Sequence, residues 1–306
     1  MALSFSRGTS VAIKTEIAYT ERVKNIYAAR GACIYATQML IQKKQGIEKE
    51  KETAGLKKLQ TEDIKGKSVG SVPGIVWTPS NTPYSVKIGD IDCSVLISDE
   101  SGKININKLN DLTRPNFIKF LTTYQLDEMT AETITDSILD WIDPDDFHHA
   151  NGAEKDYYVS LSEPYEPKNG PLDTIEELAL VKGVTPQVYE MIRDRVTIYG
   201  GGKININFAT KEVLCFIPLI TPDIADAIIE FRGTKGVKVL DDLKDLLNHH
   251  GISGDDYLKT LNYLTVSYSN YMVINTVASS EKTKNSYKIV VRKALDHCKI
   301  IAAYPE

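Results

Sequence analysis

Gly102-Lys103-Ile104-Asn105-Ile106-Asn107 recurs, residue for residue, as Gly202-Lys203-Ile204-Asn205-Ile206-Asn207, 100 positions further along the chain. An identical six-residue echo hardly arises by chance. It marks two related helical units, each introduced by a short extended segment. The Asn side chains at 105, 107, 205 and 207 are read as caps and turn-holding groups, in preference to a direct ligand role.

Outward from the repeat, helical periodicity dominates residues 107–262. Apolar stripes fall at 117–121, 131–141, 175–181, 188–196, 211–216, 224–231 and 240–247, punctuated by Gly and Pro. Residues 85–89 and 91–97 cluster β-branched side chains, as do 271–278, 287–294 and 298–304. Gly70-Ser71-Val72-Pro73-Gly74 is turn chemistry. The start of the chain predicts one long helix with a stripe of Val23, Ile26, Tyr27, Cys33, Ile34, Leu40 and Ile41. Val23, Tyr27 and Ile34 could serve the chain's own sheet or neighbouring subunits, and most of the stripe is expected to bury in the sheet. The helix should weaken before about position 12 and fade in the charged run 43–58. A helical block enclosed by two β segments predicts an α+β chain, with the block inserted into a sheet-bearing domain.

Composition narrows the function classes. The hydrophobic fraction of 42% and charged fraction of 25% are those of a folded globular chain. A net charge of −5 argues against a general nucleic-acid surface. Cys33, Cys93, Cys215 and Cys298 form no CxxC pair, so a zinc-ribbon reading has no support and buried free thiols are expected. No apolar run reaches the roughly 18 to 20 residues that span a bilayer, and the opening Met1-Ala2-Leu3-Ser4-Phe5 is too short for a signal peptide.

Charge is unevenly spread. Residues 127–177 hold 15 Asp or Glu against two Lys, a local charge of −13. Clustered carboxylates repel unless something neutralises them, so the segment is either a solvated face or a cation site. Its densest part is Asp140-Trp141-Ile142-Asp143-Pro144-Asp145-Asp146, followed by Asn151-Gly152-Ala153-Glu154. Asp143 and Glu154 stand first and twelfth in a loop of EF-hand length, but His148 occupies the place of the sharp-turn glycine. A site here needs another geometry, recruiting an oxygen from outside the loop such as Asn169. His148-His149 invites a zinc or dimetal reading, yet adjacent residues rarely aim both rings at one metal. All five histidines are therefore read as structural. No GxSxG elbow or P-loop is present, and no catalytic or cofactor-binding residue is named.

The second repeat continues into a helix-hairpin-helix pattern. Its turn, Ile217-Pro218-Leu219-Ile220-Thr221, lacks the glycine that lets backbone N–H groups approach a phosphate, and Asp223 and Asp226 follow it; the stretch Leu178 to Pro186 keeps a glycine, Gly183, but sits beside the acidic block. A helix-hairpin-helix nucleic-acid-binding protein is therefore the alternative reading, and a metal-dependent hydrolase is third.

Four linked motifs add a resemblance. Leu139-Asp140-Trp141-Ile142-Asp143-Pro144-Asp145, Gly152-Ala153-Glu154-Lys155-Asp156-Tyr157-Tyr158, Pro167-Lys168-Asn169-Gly170-Pro171-Leu172 and Glu177-Leu178-Ala179-Leu180-Val181-Lys182-Gly183-Val184 resemble, in order, the middle of the general secretion pathway protein K family. The run Gly202 to Ala209 fits the same family. These are the K-type minor pseudopilins of bacterial type II secretion systems.

The resemblance implies a pseudopilin fold, a long N-terminal helix on an antiparallel sheet. Residues 1–106 and 266–306 would form it around an inserted α-domain at 107–265, with helix-hairpin-helix (SAM-like) subunits at 107–200 and 201–265. It also implies a non-catalytic, periplasmic role at the pseudopilus tip, with minor pseudopilins I and J as partners, a secreted substrate as a further contact and no nucleic acid. Family members bind calcium in the α-domain, which assigns Asp140, Asp143, Asp145, Glu154 and Asn169 as ligands of one or two structural Ca2+ ions. They begin with a prepilin cleavage site and an apolar membrane helix anchored in the inner membrane. Neither is present in this sequence, so membrane attachment would come only through a missing N-terminal helix, of which Ala2 to Ser6 would be the last turn.

Overall fold

The computed structural model describes residues 2–41, 77–80, 82–233, 235–280, 283–294 and 297–305. The run 43–58 and the turn 70–74 lie outside the described residues. The chain divides into two compact units, residues 1–99 with 270–306, and residues 100–269. These boundaries fall a few residues outside the expected 107 and 265. The first repeat pairs within the helical unit and carries the residues just before it along.

In the first unit, α1 (Ala2–Ile41) is a single helix of 40 residues. The sheet is antiparallel in the order β1 (Tyr84–Ile88), β2 (Ile91–Asp99), β7 (Tyr271–Ser279), β8 (Lys284–Lys293) and β9 (Cys298–Pro305). Gly89 takes φ +60 in the two-residue turn that joins β1 to β2, where the twist of a tight hairpin demands a left-handed residue. Alternation fixes the register. Cys93, Val95 and Ile97 of β2 lie opposite Ala278, Thr276 and Ile274 of β7, and all six are buried. On the next strand Ile289 and Val291 oppose Ile274 and Met272.

The helix buries only part of the expected stripe: Cys33 and Leu40 are covered, Val23, Ile26 and Ile41 half-covered, and Tyr27 and Ile34 exposed. Its covered positions are Asn25, Ala28, Ala29, Ala32, Cys33, Ala36, Thr37, Met39 and Leu40. Tyr27 remains 64% exposed and Ile34 46%. Small side chains win the inward positions because they let the helix backbone approach the sheet closely, where larger residues would overpack. Asn25 can be buried because its amide donates to the Thr283 carbonyl (3.0 Å) and hydroxyl (2.8 Å). All four cysteines are free, with Cys33, Cys93 and Cys215 buried and Cys298 half-buried.

The second unit is built twice to one plan. In the first module β3 (Ile104–Asn105) pairs in parallel with β4 (Val196–Thr197); in the second, β5 (Ile204–Asn205) pairs in parallel with β6 (Leu264–Thr265). Asn105 accepts from the Asn107 N–H at 3.0 Å and donates to the Tyr199 and Gly200 carbonyls. Asn205 accepts from Asn207 N–H at 3.1 Å and donates to the Ser267 carbonyl. The second Asn of each copy reaches further. Asn107 exchanges a pair of hydrogen bonds with the Leu172 backbone, and Asn207 does the same with Val237. The echo in sequence is thus an echo in hydrogen bonding.

The first module carries α2 (Arg114–Thr122), α3 (Glu128–Ile142), α4 (Lys155–Val159), a 3-10 turn (Ile175–Leu180) and α5 (Pro186–Ile192). The second carries α6 (Lys211–Cys215), α7 (Pro222–Arg232), a 3-10 turn (Leu240–Leu243), α8 (Lys244–His249) and α9 (Gly254–Asn262). Thr185, Thr210 and Thr221 cap α5, α6 and α7 through their side chains, satisfying N–H groups that a helix start leaves open. The expected helix over 188–196 stops at Ile192, because Val196 is needed as the partner of Ile104. The glycine-free turn at 217–221 closes with Leu219 itself at φ +66, matched by Gln125 at φ +62 in the first module.

Replacing Asn205 by Ala leaves buried backbone partners unpaired, a cost of about 1–3 kcal/mol. Asn105→Ala should cost a similar amount, and urea unfolding of both variants checks whether the two copies are equivalent.

Candidate metal centre

The site lies at the C-terminal end of α3. A helix ends on unpaired carbonyls and a partial negative charge, and cations are favoured there. This sequence instead places Asp140 in the last turn and Asp143 at the C-cap, with no basic residue in that turn. Asp140 is fully buried and Glu154 is 1% exposed. Glu154 stands at the N-cap of α4 but makes no side-chain capping bond there, so its carboxylate is left for another partner.

The chain brings these groups together. Oxygens of Asp143, Asp145 and Glu154 lie within 4.8 Å of one another, and a second group within the same limit joins Asp140, Asp143 and His149. Asn169, at φ +46, donates its amide to the Asp145 carbonyl (3.0 Å) and to Asp146 (2.9 Å). Gly170 N–H bonds the Trp141 carbonyl, which docks the Asn169 turn on the end of α3. All five residues expected from the sequence therefore sit around one locus.

What remains unpaired decides the chemistry. Asp140 Oδ2, Asp143 Oδ1, both Glu154 oxygens and Asn169 Oδ1 are buried without a hydrogen-bond partner. Buried acceptors are almost always satisfied, and here five orphans fall on four residues of one cluster. Every one is an oxygen, the donor type of hard cations such as Ca2+ or Mg2+. Metal-free, the cluster resists ionisation. Burial, then Asp145 and Asp140, push Asp143 up to about 6. Burial, then Asp140 and Asp143, push Glu154 up to about 7.

His149 supports the site without completing it. Its Nδ1 bonds Asp140 Oδ1 and its Nε2 bonds Asp111 at 2.9 Å. Carboxylates only accept, so both ring nitrogens carry hydrogen and neither is free for a metal. Burial opposes the charged imidazole, but the bonds to Asp111 and Asp140 outweigh it and raise the pKa. His148 points to Asp156 instead, at 2.9 Å. Adjacent rings thus serve different carboxylates. Two supports escaped the sequence reading. Gly152 is one, since a Cβ there would stand 1.9 Å from Asp140 Oδ2. Asp136 is the other: fully buried, it holds Arg114 through two bonds and accepts the Asn151 N–H at 3.1 Å. Only the spacing Asp136–Asp140–Asp143 hinted that these acids share the end of one helix.

With this geometry fixed, likeness to known proteins can be placed on it. A family model for the first part of type II secretion system protein K matches residues 102–201, the module that holds the acidic loop. A helix-hairpin-helix motif model matches residues 200–265, the second module. The type II secretion system protein K of Pectobacterium carotovorum is 31% identical over 146 residues, 44% of this chain and 44% of that protein. That of Dickeya chrysanthemi is 31% identical over 123 residues, 38% of this chain and 34% of its own length.

Over residues 102–201 the chain matches the type II secretion system protein K family.

The matched part spans less than half the length of these relatives. A chain of the GspK-GspI-GspJ complex from enterotoxigenic Escherichia coli is 17% identical, with a TM-score of 0.67 over 96% of this chain and 99% of that one. That likeness covers the first unit as well, which neither family model reaches. Helix, sheet and helical insert together are the pseudopilin arrangement expected of an α+β member of the family.

Asp143 and Glu154 hold protons more readily folded than unfolded, so folding takes up protons between about pH 4.5 and 7. The metal-free protein should therefore lose stability as pH rises through this window and level off above about 8. Melting curves in chelator from pH 5 to 8.5 test the sign; a rise in melting temperature across that range would contradict it.

Proposed function

We propose that this chain works as a minor pseudopilin at the tip of a type II secretion pseudopilus, a non-catalytic assembly component that holds structural calcium. It would act on the periplasmic side of the inner membrane. The observation that carries the calcium half is the set of five unpaired buried oxygens around Asp143 and Glu154. Bound there, calcium would neutralise the carboxylates and tie the Asp143–Glu154 loop to Asn169, adding its binding free energy to folding. Asp140, Asp143, Asp145, Glu154 and Asn169 would hold it, with His149 keeping Asp140 in place. Flexible oxygen coordination over a set this large suits calcium better than magnesium, which demands a tighter octahedron and keeps its waters.

The assembly half rests on the match to the protein K family and on the outer face of α1. Tyr27 and Ile34 fall on one face, two helical turns apart, and stay exposed while the alanines opposite them pack on the sheet. A neighbouring helix would cover them. Partners I and J enter by analogy with the complex whose K chain shares this fold. Nucleic-acid binding is the weaker reading: Leu219 replaces glycine at one hairpin tip, the glycine turn at Gly183 sits beside the acidic loop, and the net charge is −5.

Calcium titrated calorimetrically into chelator-treated protein should give saturable binding and a raised melting temperature. Asp143→Ala or Glu154→Ala should abolish both; a wild type with neither heat nor shift would remove calcium from the proposal. Tyr27→Ser with Ile34→Ser should change monomer stability by no more than about 0.5 kcal/mol and yet weaken co-purification with I and J.

A further inference from the structure

The acidic loop is held from a side that has no part in its donor set. Val181–Thr185 forms the second hairpin of the first module, turning at Gly183 with φ +84. From it Lys182 reaches across to the loop. Its ammonium donates to the Gly152 carbonyl at 2.9 Å and the Asn151 carbonyl at 3.2 Å, and lies 5.0 Å from the centre of the Tyr157 ring. Its backbone N–H bonds the Tyr158 hydroxyl at 3.2 Å. Two residues before Lys182, the Leu180 carbonyl accepts the Tyr165 hydroxyl at 2.7 Å.

The residues it holds are those that shape the site. Gly152 lies against the Asp140 carboxylate, so closely that a methyl group would not fit between them. Glu154 follows two residues on. A shift of the Asn151–Gly152 carbonyls would move both carboxylates out of register.

The second module supplies an internal comparison. Its corresponding hairpin turns at Gly251 with φ +82, and His250 stands where Lys182 stands. There the connection before the 3-10 turn is only residues 233–239, against 143–174 in the first module. A Cβ added at Gly251 would meet open space, whereas one at Gly183 would lie 3.0 Å from Ile134. The same hairpin is thus free in one module and spent on the acidic loop in the other.

The geometry points to Lys182 as the positioning residue of the metal loop: the hairpin clamps Asn151 and Gly152, and cation affinity depends on that clamp although Lys182 touches no donor oxygen. This rests on the calcium reading above, and the test separates the two. Lys182→Met should lower calcium affinity about tenfold, as loss of a residue supporting metal ligands typically does. It should also speed amide exchange in 149–159 in chelator, leaving 246–254 unchanged. Lys182→Arg, which keeps donors for both carbonyls, should restore affinity and protection. Wild-type affinity in Lys182→Met with unaltered exchange at 149–159 would overturn the clamp, as would equal loosening of both hairpins. Were the wild type to take up no calcium, the metal reading would fall, and exchange at 149–159 alone would decide the clamp.

Discussion

Like charges gathered at the negative end of a helix set the terms for the inserted unit. Two carboxylates about 4 Å apart repel by roughly 4 kcal/mol where the effective dielectric is near 20. Here Asp140, Asp143 and Glu154 add to that the partial charge of α3 and the loss of water. An arrangement so unfavourable on its own needs compensation. Part of it is visible: His149 as an imidazolium on Asp140, Arg114 on Asp136, backbone N–H groups on both. Those contacts satisfy the outward oxygens and leave the inward ones bare. The rim of the cluster is neutralised and its centre keeps unpaired oxygens, the ones the proposed calcium would satisfy.

The framework that tolerates this strain is the doubled module. Each copy closes on itself through a buried Asn that ties the end of a strand and a second Asn that ties a distant turn. Glu177 caps the turn before the first 3-10 segment by accepting from Asp173 and Thr174 N–H, and Asp242 repeats this with Lys238 and Val239. Because Leu172 and Val237 are anchored alike, the chain between the preceding helix and that anchor is free to vary in length. In the second module it is short. In the first it carries the acidic loop. An insertion at a point already clamped at both ends costs little loop-closure entropy beyond its own ordering, since that cost grows only as the logarithm of length.

How far the sequence alone reached follows from which signals are local. Carboxylate density, the hexapeptide echo and β-alternation are local, so the five oxygen residues, the two modules and the sheet strands were legible. The parallel partners of Ile104 and Ile204 lie 92 and 60 residues away, and a two-residue strand leaves no periodic mark. Helix 188–196 was overextended for that reason. The expected stripe on α1 is buried at Cys33 and Leu40 but turns outward at Tyr27 and Ile34, for a different reason. Hydrophobicity ranks Tyr27 and Ile34 above Ala32 and Ala36, but a helix pressed against a sheet selects for smallness, and only the packed structure shows which pressure won.

That outward turn has a physical consequence for assembly. Had Tyr27 and Ile34 been the inward residues, α1 would present a polar outer face and little reason to associate. With alanines inward, the large apolar side chains are displaced to the opposite side of the helix, where they cost solvation in an isolated chain. Their burial by a neighbour would recover about 25 cal/mol for each Å² removed from water. The same choice of small residues that brings helix and sheet together therefore also loads the outer face for contact. One helical phase sets both the packing of α1 on its sheet and the face proposed for contact.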